Sequence, residues 1–387
     1  MKTTMYDKVI LVMKHNLTFY PPVISVCHAL RTLGKEVVYI GANSDTNVQK
    51  ALEAIGVRFF VQPEYGGSAP KRLLQQIIFK KNVEPLIEKE YGANTCIWFV
   101  HLETVVLFIH YFKTHHCIAH LLEFRMRKIS WGYRLLSGFR DRIDLLKKAS
   151  KVICCEYNRA HLTQAVLSLP ELPLIFPNKP YLQNNEAISV GDLPSELNNV
   201  IEKIRNKKVI IYQGGFMRER KLDAFYKAMD YLPDDYVFVA MGADSAEKQR
   251  LMNTYKNERC IFLPFIRPPY HLEITRMAHI GILSYIPLGE NLGQMINVLY
   301  CAPNKIFEYG KFGLPMLSND LPSLKLQFAE IKCGITLESM TPECICHAIE
   351  SIDENYDEYS LNAKKLYESV DVVGIVKQAI EYEIADI

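Results

Sequence analysis

Residues 302–319 read APNKIFEYGKFGLPMLSN. Pro303 and Asn304 are typical of the start of a helix, and Gly313 is typical of its end. Leu314–Ser318 then has the length and the apolar character of a buried strand. The stretch therefore predicts a helix that leads directly into a strand, as in α/β folds whose parallel strands are covered by helices on both faces.

The same alternation extends outward through most of the chain. Between the apolar runs lie amphipathic stretches such as Pro22–Leu33, in which apolar side chains recur at helical spacing. The first set of predicted strands is Lys8–Met13, Glu36–Ile40, Arg58–Val61, Thr95–Val100, Ile118–Leu122 and Lys151–Cys155. The second set is Lys208–Gln213, Tyr236–Met241, Cys260–Pro264, Ile280–Ser284 and Leu314–Ser318.

Two sets of strands predict two domains. The polar stretch Leu182–Asn199 separates them, and 387 residues are more than one core usually accommodates. We assign residues 1–180 to an N-terminal α/β domain and residues 181–370 to a C-terminal one. Residues 371–387 are predicted to form a helix that packs back on the N-terminal domain.

The composition indicates a folded protein of the cytoplasm. Hydrophobic residues make up 49% and charged residues 23%, the balance of a globular chain. No apolar run reaches the roughly 20 residues of a membrane-spanning helix, and the first eight residues lack the apolar core of a signal peptide. The ten cysteines have no metal-motif spacing, which favours buried thiols in a reducing compartment over disulfides.

The turn after the first strand disfavours a dinucleotide-binding oxidoreductase. Ligands of open α/β sheets bind at the carboxyl ends of the strands, and a dinucleotide fingerprint needs glycines there. Residues 14–22 contain none. His15 and Asn16 are candidates for ligand contact at this turn; the alternative is a solvated loop.

The first turn of the second domain favours an anionic ligand. Gly214 and Gly215 follow the strand and allow a close backbone approach. Arg220 and Lys221 come next, where a helix start already favours anions. A phosphate would explain these cations; a solvated charged loop is the alternative.

The helix predicted after Pro303 carries a second set of candidates. Asn304, Lys305 and Glu308 occupy adjoining parts of one face. Lys305 lies at the helix start, where it suits a phosphate, and Glu308 could accept two hydrogen bonds from a ribose diol. Without further context, a surface Lys–Glu pair is the favoured explanation of the pattern.

This segment resembles the donor-binding motif of the group 1 (family 4-like) glycosyltransferases of GT-B architecture. The matching residues are Pro303, Asn304, Lys305, Ile306, Phe307, Glu308, Tyr309, Gly313 and Pro315. Further resemblance lies in Tyr212–Gly215 with Arg220–Lys221, Leu263–Ile266, Ser150–Ile153, Asn158–Ala160 and Pro177–Asn178. The resemblance implies two Rossmann-like domains with parallel sheets facing each other across a cleft. It also implies transfer of a hexose from a nucleoside diphosphate sugar, with Phe265 and Ile266 at the nucleobase.

One position departs from the family pattern. Many members carry a second glutamate eight residues before the ribose-binding one, where it contacts the donor sugar. Here that position is Tyr300. The sugar is then expected to contact other groups, with Asn291, Gly293 and Asn297 as candidates, and neither the sugar nor the stereochemical outcome follows from the motif.

Candidates on the acceptor side follow strands of the first domain. His101 comes directly after the predicted strand Thr95–Val100, where many members of the family place a histidine beside the reacting sugar. It could bind a sugar hydroxyl or assist a proton transfer. Glu123 follows the next strand in the same way. A capped loop histidine and a solvated carboxylate are the alternatives.

The charge is distributed unevenly. Residues 1–180 hold 24 Lys and Arg against 14 Asp and Glu, while the rest of the chain holds 21 against 29. Basic residues alternate with aromatic and aliphatic ones between Arg125 and Lys151, which is typical of a helix on an anionic membrane surface. Nucleic acid would meet the same charges, but no nucleic-acid motif accompanies them, so we predict none as a partner. An ordinary solvated helix is the other alternative.

Together these features predict a cytoplasmic glycosyltransferase, peripheral on the membrane, that acts on a glycan or lipid-linked acceptor in surface polysaccharide biosynthesis. No Asp-x-Asp motif is present, so neither a metal nor another cofactor is expected, and Arg220 and Lys221 are predicted to neutralise the leaving diphosphate. A nucleotide-sugar epimerase of the same fold is one alternative. A non-catalytic two-domain binding protein of the periplasmic kind is another.

Overall fold

The computed structural model describes residues 2–43, 45–64, 66, 68–126, 143–181, 195–289 and 291–384. The chain divides into two compact units. The first comprises Met1–Tyr181 and Asp371–Ile387, and the second comprises Leu182–Val370.

Each unit has its own set of strands. Those of the first are β1 (Lys2–Met5), β2 (Lys8–Met13), β3 (Glu36–Ala42), β4 (Val57–Gln62), β5 (Thr95–Val100), β6 (Cys117–Leu121), β7 (Lys151–Cys154), β8 (Leu174–Ile175) and β15 (Glu381–Ile384). Those of the second are β9 (Lys208–Gln213), β10 (Tyr236–Met241), β11 (Cys260–Leu263), β12 (Ile280–Leu283), β13 (Met316–Asn319) and β14 (Gly334–Leu337).

Helices connect the strands. In the first unit they are α1 (Pro21–Thr32), α2 (Thr46–Ala54), α3 (Ala69–Glu90), α4 (Leu102–Leu107), α5 (Tyr157–Leu167) and α15 (Val372–Ile380). In the second they are α6 (Ser195–Ile204), α7 (Asp223–Ala228), α8 (Ala246–Thr254), α9 (His271–Arg276), α10 (Leu292–Leu299), α11 (Lys305–Phe312), α12 (Pro322–Ile331), α13 (Pro342–Glu354) and α14 (Tyr356–Glu368). Among the helices that the structure describes, none combines the length and apolar character needed to cross a membrane.

The first unit is built on a parallel sheet of seven strands in the order β4-β3-β2-β5-β6-β7-β8. All six side chains of β5 are buried. Ile97 and Phe99 join one apolar cluster, while Cys96, Trp98 and Val100 join another. Because alternate side chains leave opposite faces, the sheet has a core on both sides, as the uninterrupted apolar runs predicted.

The second unit repeats this design with six parallel strands in the order β11-β10-β9-β12-β13-β14. Val209 and Ile211 of β9 face one cluster, and Ile210 and Tyr212 face the other. From β9, successive strands of the chain are added on one side as far as β11, and from β12 onward they are added on the other side. Ligands of open α/β sheets bind at such a change of side, which here lies between β9 and β12. The predicted α/β fold with two Rossmann-like domains is confirmed.

Several predicted strand ends were wrong by one or two residues. The predicted strand Leu314–Ser318 begins only at Met316, after Pro315, and the predicted strand Cys260–Pro264 ends at Leu263. Proline lacks the amide hydrogen that a ladder needs, which accounts for both shifts. All ten cysteines are unpaired and eight are buried, in agreement with the prediction of buried thiols.

The end of the chain returns to the first unit. Val376, Ala379 and Ile380 of α15 pack in the same cluster as Val23 and Val26 of α1. After Ile380, β15 pairs antiparallel with β1, with Lys2 opposite Ile384. The sequence predicted a helix here but not the strand that follows it.

Candidate functional site

The second unit contains a cavity of about 230 Å³ at the carboxyl ends of its strands. Six of the seven residues predicted to bind a donor line it: Gly214, Gly215, Phe265, Ile266, Lys305 and Glu308. The seventh, Asn304, immediately precedes α11 and is not among the lining residues. The cavity is also lined by Gln213, Met241, Gly242, Ala243 and His271, which were not predicted as site residues.

Glycines bring two strand-end turns into contact at this cavity. Gly214 has φ +151°, and its amide donates to the carbonyl of Met241 (2.9 Å). A Cβ on Gly242 would lie 1.9 Å from the carbonyl oxygen of Gly214. Neither position accommodates a side chain without moving the backbone, so the cavity wall here consists of backbone groups that a ligand can approach closely.

Lys305 is the first residue of α11 and lies against the glycine turn. Its Nζ would be 3.2 Å from a Cβ on Gly214. Burial lowers the pKa of Lys305, with the nearby charge of Arg220 acting in the same direction and Glu308 opposing it. A half-buried lysine, beside backbone groups and the positive end of a helix, is well suited to a phosphate.

Glu308 is held on both carboxylate oxygens. The Gln213 amide donates to Oε2, and His271 Nε2 lies 3.8 Å from Oε1. Thr275 Oγ1 in turn donates to Gln213 Oε1 (2.8 Å), which fixes the orientation of that amide. Burial raises the pKa of Glu308, but His271, Lys305 and Gln213 together outweigh it and lower the pKa. Glu308 is therefore an anion held in one orientation, only 12% exposed.

Arg220 and Lys221 differ in their surroundings. The Arg220 guanidinium stacks on the ring of Tyr285, with 3.9 Å from Cζ to the ring centroid. The Lys221 side chain is exposed, and its carbonyl accepts a hydrogen bond from Ser284 Oγ (2.8 Å). Neither residue lines the cavity, and the helix expected to start here begins only at Asp223. Of the candidates for the donor sugar, Asn291 uses its side-chain oxygen to cap α10.

A cluster of titratable groups follows β5 in the first unit. His101 is 6% exposed and has a φ of 68°, unusual for a residue other than glycine. Its ring centroid lies 4.7 Å from that of His15 and 4.5 Å from that of Tyr20. Burial, reinforced by the charge of His15, lowers the pKa of His101 to about 3, so its ring is neutral at physiological pH.

Glu103 completes this cluster, although the sequence did not predict it as a site residue. Its Oε2 lies 3.9 Å from His15 Nε2, and its Oε1 lies 3.2 Å from Arg125. Burial raises the pKa of Glu103, but His15 and Arg125 outweigh it and lower the pKa to about 2. The position of Glu103, two residues after His101, was the one feature of the sequence that could have indicated it. Its contacts with His15 and Arg125 could not be predicted, because both residues are distant in sequence.

The other acceptor-side candidates lie nearby in different roles. The side-chain oxygen of Asn16 accepts from the amide of Thr18 (3.2 Å) and caps a short 3₁₀ helix, Leu17–Phe19. Glu123 is 51% exposed and pairs with Arg125 (2.9 Å). Of the basic segment predicted between Arg125 and Lys151, residues 127–142 lie outside the described residues.

No protein-family model matches this chain, and no curated protein matches its sequence. Solved structures do match. HepE of Anabaena in complex with UDP is 14% identical, with a TM-score of 0.63, over 96% of this chain and 98% of that one. Sucrose-phosphate synthase of Thermosynechococcus elongatus is 13% identical, with a TM-score of 0.61, over 96% and 95%.

A third match is a protein of Listeria monocytogenes described as a UDP-N-acetylglucosamine 2-epimerase. It is 11% identical, with a TM-score of 0.62, over 92% of this chain and 91% of that one. At these identities the likeness shows the fold, which is the GT-B fold that the sequence predicted.

Proposed function

We propose that this protein is a glycosyltransferase that uses a nucleoside diphosphate sugar. The observation that carries the proposal is the cavity of the second unit, where backbone at two glycines, a half-buried lysine and a fixed carboxylate converge. These are the groups that a diphosphate and a ribose require. The similarity to HepE, whose structures contain UDP or UDP-glucose, supports a uridine nucleotide as the first donor to try.

The nucleotide would occupy the cavity in three parts. The diphosphate would lie at Gly214–Gly215 and Lys305, and the ribose diol at Glu308. The base would lie at Phe265–Ile266, where the Phe265 ring is 57% exposed and offers a face for stacking. Because negative charge grows on the diphosphate as the sugar leaves, Lys305 and Arg220 would stabilise the transition state more than the ground state, with Lys221 assisting from the exposed turn.

On the acceptor side, we propose that His101 contacts the reacting hydroxyl. A neutral imidazole can accept a proton from a hydroxyl group, whereas an imidazolium cannot. His15, Asn16 and Glu123 are proposed to bind other parts of the acceptor. Asn16 would do so through atoms that its cap leaves available.

We further propose a hexosyl donor and a lipid-linked glycan acceptor, with the protein peripheral on the cytoplasmic face of the membrane. The excess of cations in residues 1–180 supports attraction to an anionic surface. Membership of the family 4-like transferases and a role in surface polysaccharide synthesis rest on the motif around Lys305 and Glu308.

An epimerase is the second candidate, favoured by the likeness to the Listeria protein. One experiment separates the two. The protein is screened by native mass spectrometry against UDP-, GDP- and ADP-sugars, and the sugars that bind are incubated with and without an acceptor extract. A transferase releases the free nucleotide and needs the acceptor for a glycosylated product. An epimerase converts the nucleotide sugar to its epimer with no acceptor present, and that result would overturn the proposal.

A further inference from the structure

Three metal-ligating side chains converge at the carboxyl ends of β2 and β5. His15 follows β2, and His101 and Glu103 follow β5. One ring nitrogen from each histidine and one carboxylate oxygen lie within 4.8 Å of one another. Ligands at 2.0–2.1 Å from a tetrahedral ion lie about 3.4 Å apart. Side-chain rotations that bring the ligand atoms up to about 1.4 Å closer together would therefore enclose an ion.

The cluster contains a buried polar atom without a partner. His101 Nε2 is inaccessible to solvent and has no hydrogen-bond partner among the described residues. An unsatisfied buried nitrogen destabilises the folded protein unless a ligand compensates it. The backbone at His101 is also held at a positive φ, with its amide donating to the carbonyl of His120 (2.9 Å). The ring is thus kept at the cluster by a conformation that most residues avoid.

The carboxylate has the supporting contact expected around a bound ion. Arg125 holds Glu103 Oε1 at 3.2 Å, while Oε2 faces His15. Outer contacts of this kind orient metal ligands and are as much a part of such sites as the ligands themselves. Glu123 pairs with the same guanidinium, so the cation of Arg125 is balanced.

We propose that His15, His101 and Glu103 bind a divalent transition-metal ion of the zinc class. Two imidazoles and one carboxylate form a ligand set for Zn²⁺ or Fe²⁺ and are poorly suited to Mg²⁺ or Ca²⁺, which prefer oxygen ligands throughout. Three protein ligands leave a position open for water or a hydroxyl oxygen, whose pKa the ion lowers. With an ion bound, His15 and His101 would act on the acceptor through the ion instead of contacting it directly. These ligands belong to the first unit, whereas the diphosphate is proposed to bind in the second. An ion here departs from the expectation from the sequence, which included no metal.

The test uses the full chain, freed of metal by a chelator, and titrates it with Co²⁺ as a coloured substitute for Zn²⁺. We expect one equivalent to bind, to produce visible d–d absorption, and to be displaced by Zn²⁺. A strong thiolate-to-cobalt band in the near ultraviolet would instead assign the ion to the cysteines and overturn the proposal. Failure of the parent protein to bind one equivalent would overturn it too.

Variants then locate the ion. His15→Gln and Glu103→Gln should each weaken Co²⁺ binding by well over the roughly tenfold expected from Arg125→Gln, which alters only the supporting contact. The matched control is His347→Gln, because His347 is 81% exposed on α13 and pairs only with Glu350 among the described residues. Equal affinity in the parent and both ligand variants would remove the ion from this cluster.

Two further measurements keep the outcome interpretable. Circular dichroism and thermal unfolding of the metal-free variants check that they fold like the parent. UDP binding is measured separately and should not change, since the nucleotide cavity belongs to the other unit. Loss of metal binding with normal UDP binding in the ligand variants supports the ion site and leaves the proposed transferase unaffected. Metal binding without UDP binding in the parent contradicts the proposed transferase and leaves the ion site unaffected.

Discussion

Glu308 reaches the cavity from the first turn of α11 with both carboxylate oxygens already in contact with neighbouring side chains. Gln213 and His271 hold one oxygen each, so the carboxylate has a fixed direction before any ligand arrives. Prior orientation of this kind lowers the entropy cost of binding. The motif in residues 302–319 predicted Glu308, but it contained nothing about His271, which contributes from α9 and becomes a neighbour only through the fold.

Replacing Glu308 by Ala should weaken both UDP and uridine, because the ribose loses a charged hydrogen-bond acceptor worth about 1.5–3 kcal/mol. We expect the dissociation constants to rise by about 10- to 100-fold in calorimetry. Glu338→Ala is the control, since Glu338 is 87% exposed and does not line the cavity. If UDP affinity is the same in Glu308→Ala and the parent, the ribose does not bind at Glu308.

Lys305→Ala should discriminate between the parts of the nucleotide. The ammonium group faces the glycine turn, so its loss should weaken UDP by about tenfold or more and leave uridine unaffected. Lys221→Ala, at an exposed position outside the cavity, should change UDP affinity much less. An equal loss for UDP and uridine in Lys305→Ala would contradict the placement of the diphosphate.

Burial of the His120 side chain lowers the free energy of unfolding in acid. It lies on β6 with no exposed surface, neither ring nitrogen has a partner among the described residues, and burial lowers its pKa to about 3. The unfolded chain binds a proton near pH 6.5 and the folded chain does not. Stability therefore falls as pH decreases from 6.5 towards 3, by about 1.4 kcal/mol per pH unit.

His120→Leu should remove this share of the acid sensitivity while changing stability near pH 7.5 little. Urea unfolding of parent and variant at several values between pH 7.5 and 5 gives the difference in slope. Both tryptophans, Trp98 and Trp131, belong to the first unit, so their fluorescence follows the unit that contains His120. His28 and His101, whose pKa values are also lowered, should keep a residual slope in the variant. Parallel curves for the two proteins would show that His120 is protonated in the folded state.

At the scale of elements, α11 is positioned by its contact with α14. Gly310 faces that helix, and a Cβ there would lie 2.7 Å from the carbonyl oxygen of Ala363. Gly313 then ends α11 with φ +69°, which turns the chain into β13. Gly310 and Gly313 thus set the position of Lys305 and Glu308. The two glycines therefore contribute to the site although they do not contact a ligand.

Gly310→Ala should separate α11 from α14 and destabilise the protein by about 1–3 kcal/mol, as overpacking usually does. Thermal unfolding measures this loss, and UDP affinity should decrease with it because the helix shifts. Gly92→Ala is the matched control, since a Cβ at Gly92 meets nothing within 4 Å. A Gly310→Ala protein as stable as Gly92→Ala would show that the two helices are not tightly packed at this point.

Elements with strong local signals were predicted well. β2, β5, β9 and β10 begin and end where the sequence indicates, because each is a continuous apolar run between polar turns. The pairing of β1 with β15 was not predicted, since it joins residues near opposite ends of the chain through backbone hydrogen bonds. The cluster of His15, His101 and Glu103 was predicted only in part for the same reason: the sheet order, rather than local spacing, brings β2 beside β5.

At the scale of the whole molecule, the main feature of the sequence is the uneven distribution of charge. Residues 1–180 carry a net charge of +10, and the rest of the chain carries −8. Among the described cations, Arg125, Lys147 and Lys151 already have acidic partners within 4.0 Å. Attraction to an anionic surface would therefore depend mainly on cations beyond these pairs, and Arg127, Lys128 and Arg134 are the candidates that the sequence provides.

The protein should sediment with vesicles that contain phosphatidylglycerol at low salt and not with neutral vesicles. Each basic residue near such a surface contributes about 1 kcal/mol, so three acting together suffice for reversible attachment. High salt should release the protein, because the Debye length falls to about 3 Å at 1 M.

The triple variant Arg127→Glu, Lys128→Glu and Arg134→Glu should stay in the supernatant, and Arg125 is left intact because it supports Glu103. Reversal of Lys203, Lys207 and Lys227, which are exposed in the acidic half of the chain, is the control with the same change in net charge. If both triple variants detach alike, net charge alone accounts for the binding; if the parent never sediments, a soluble acceptor replaces the lipid-linked one.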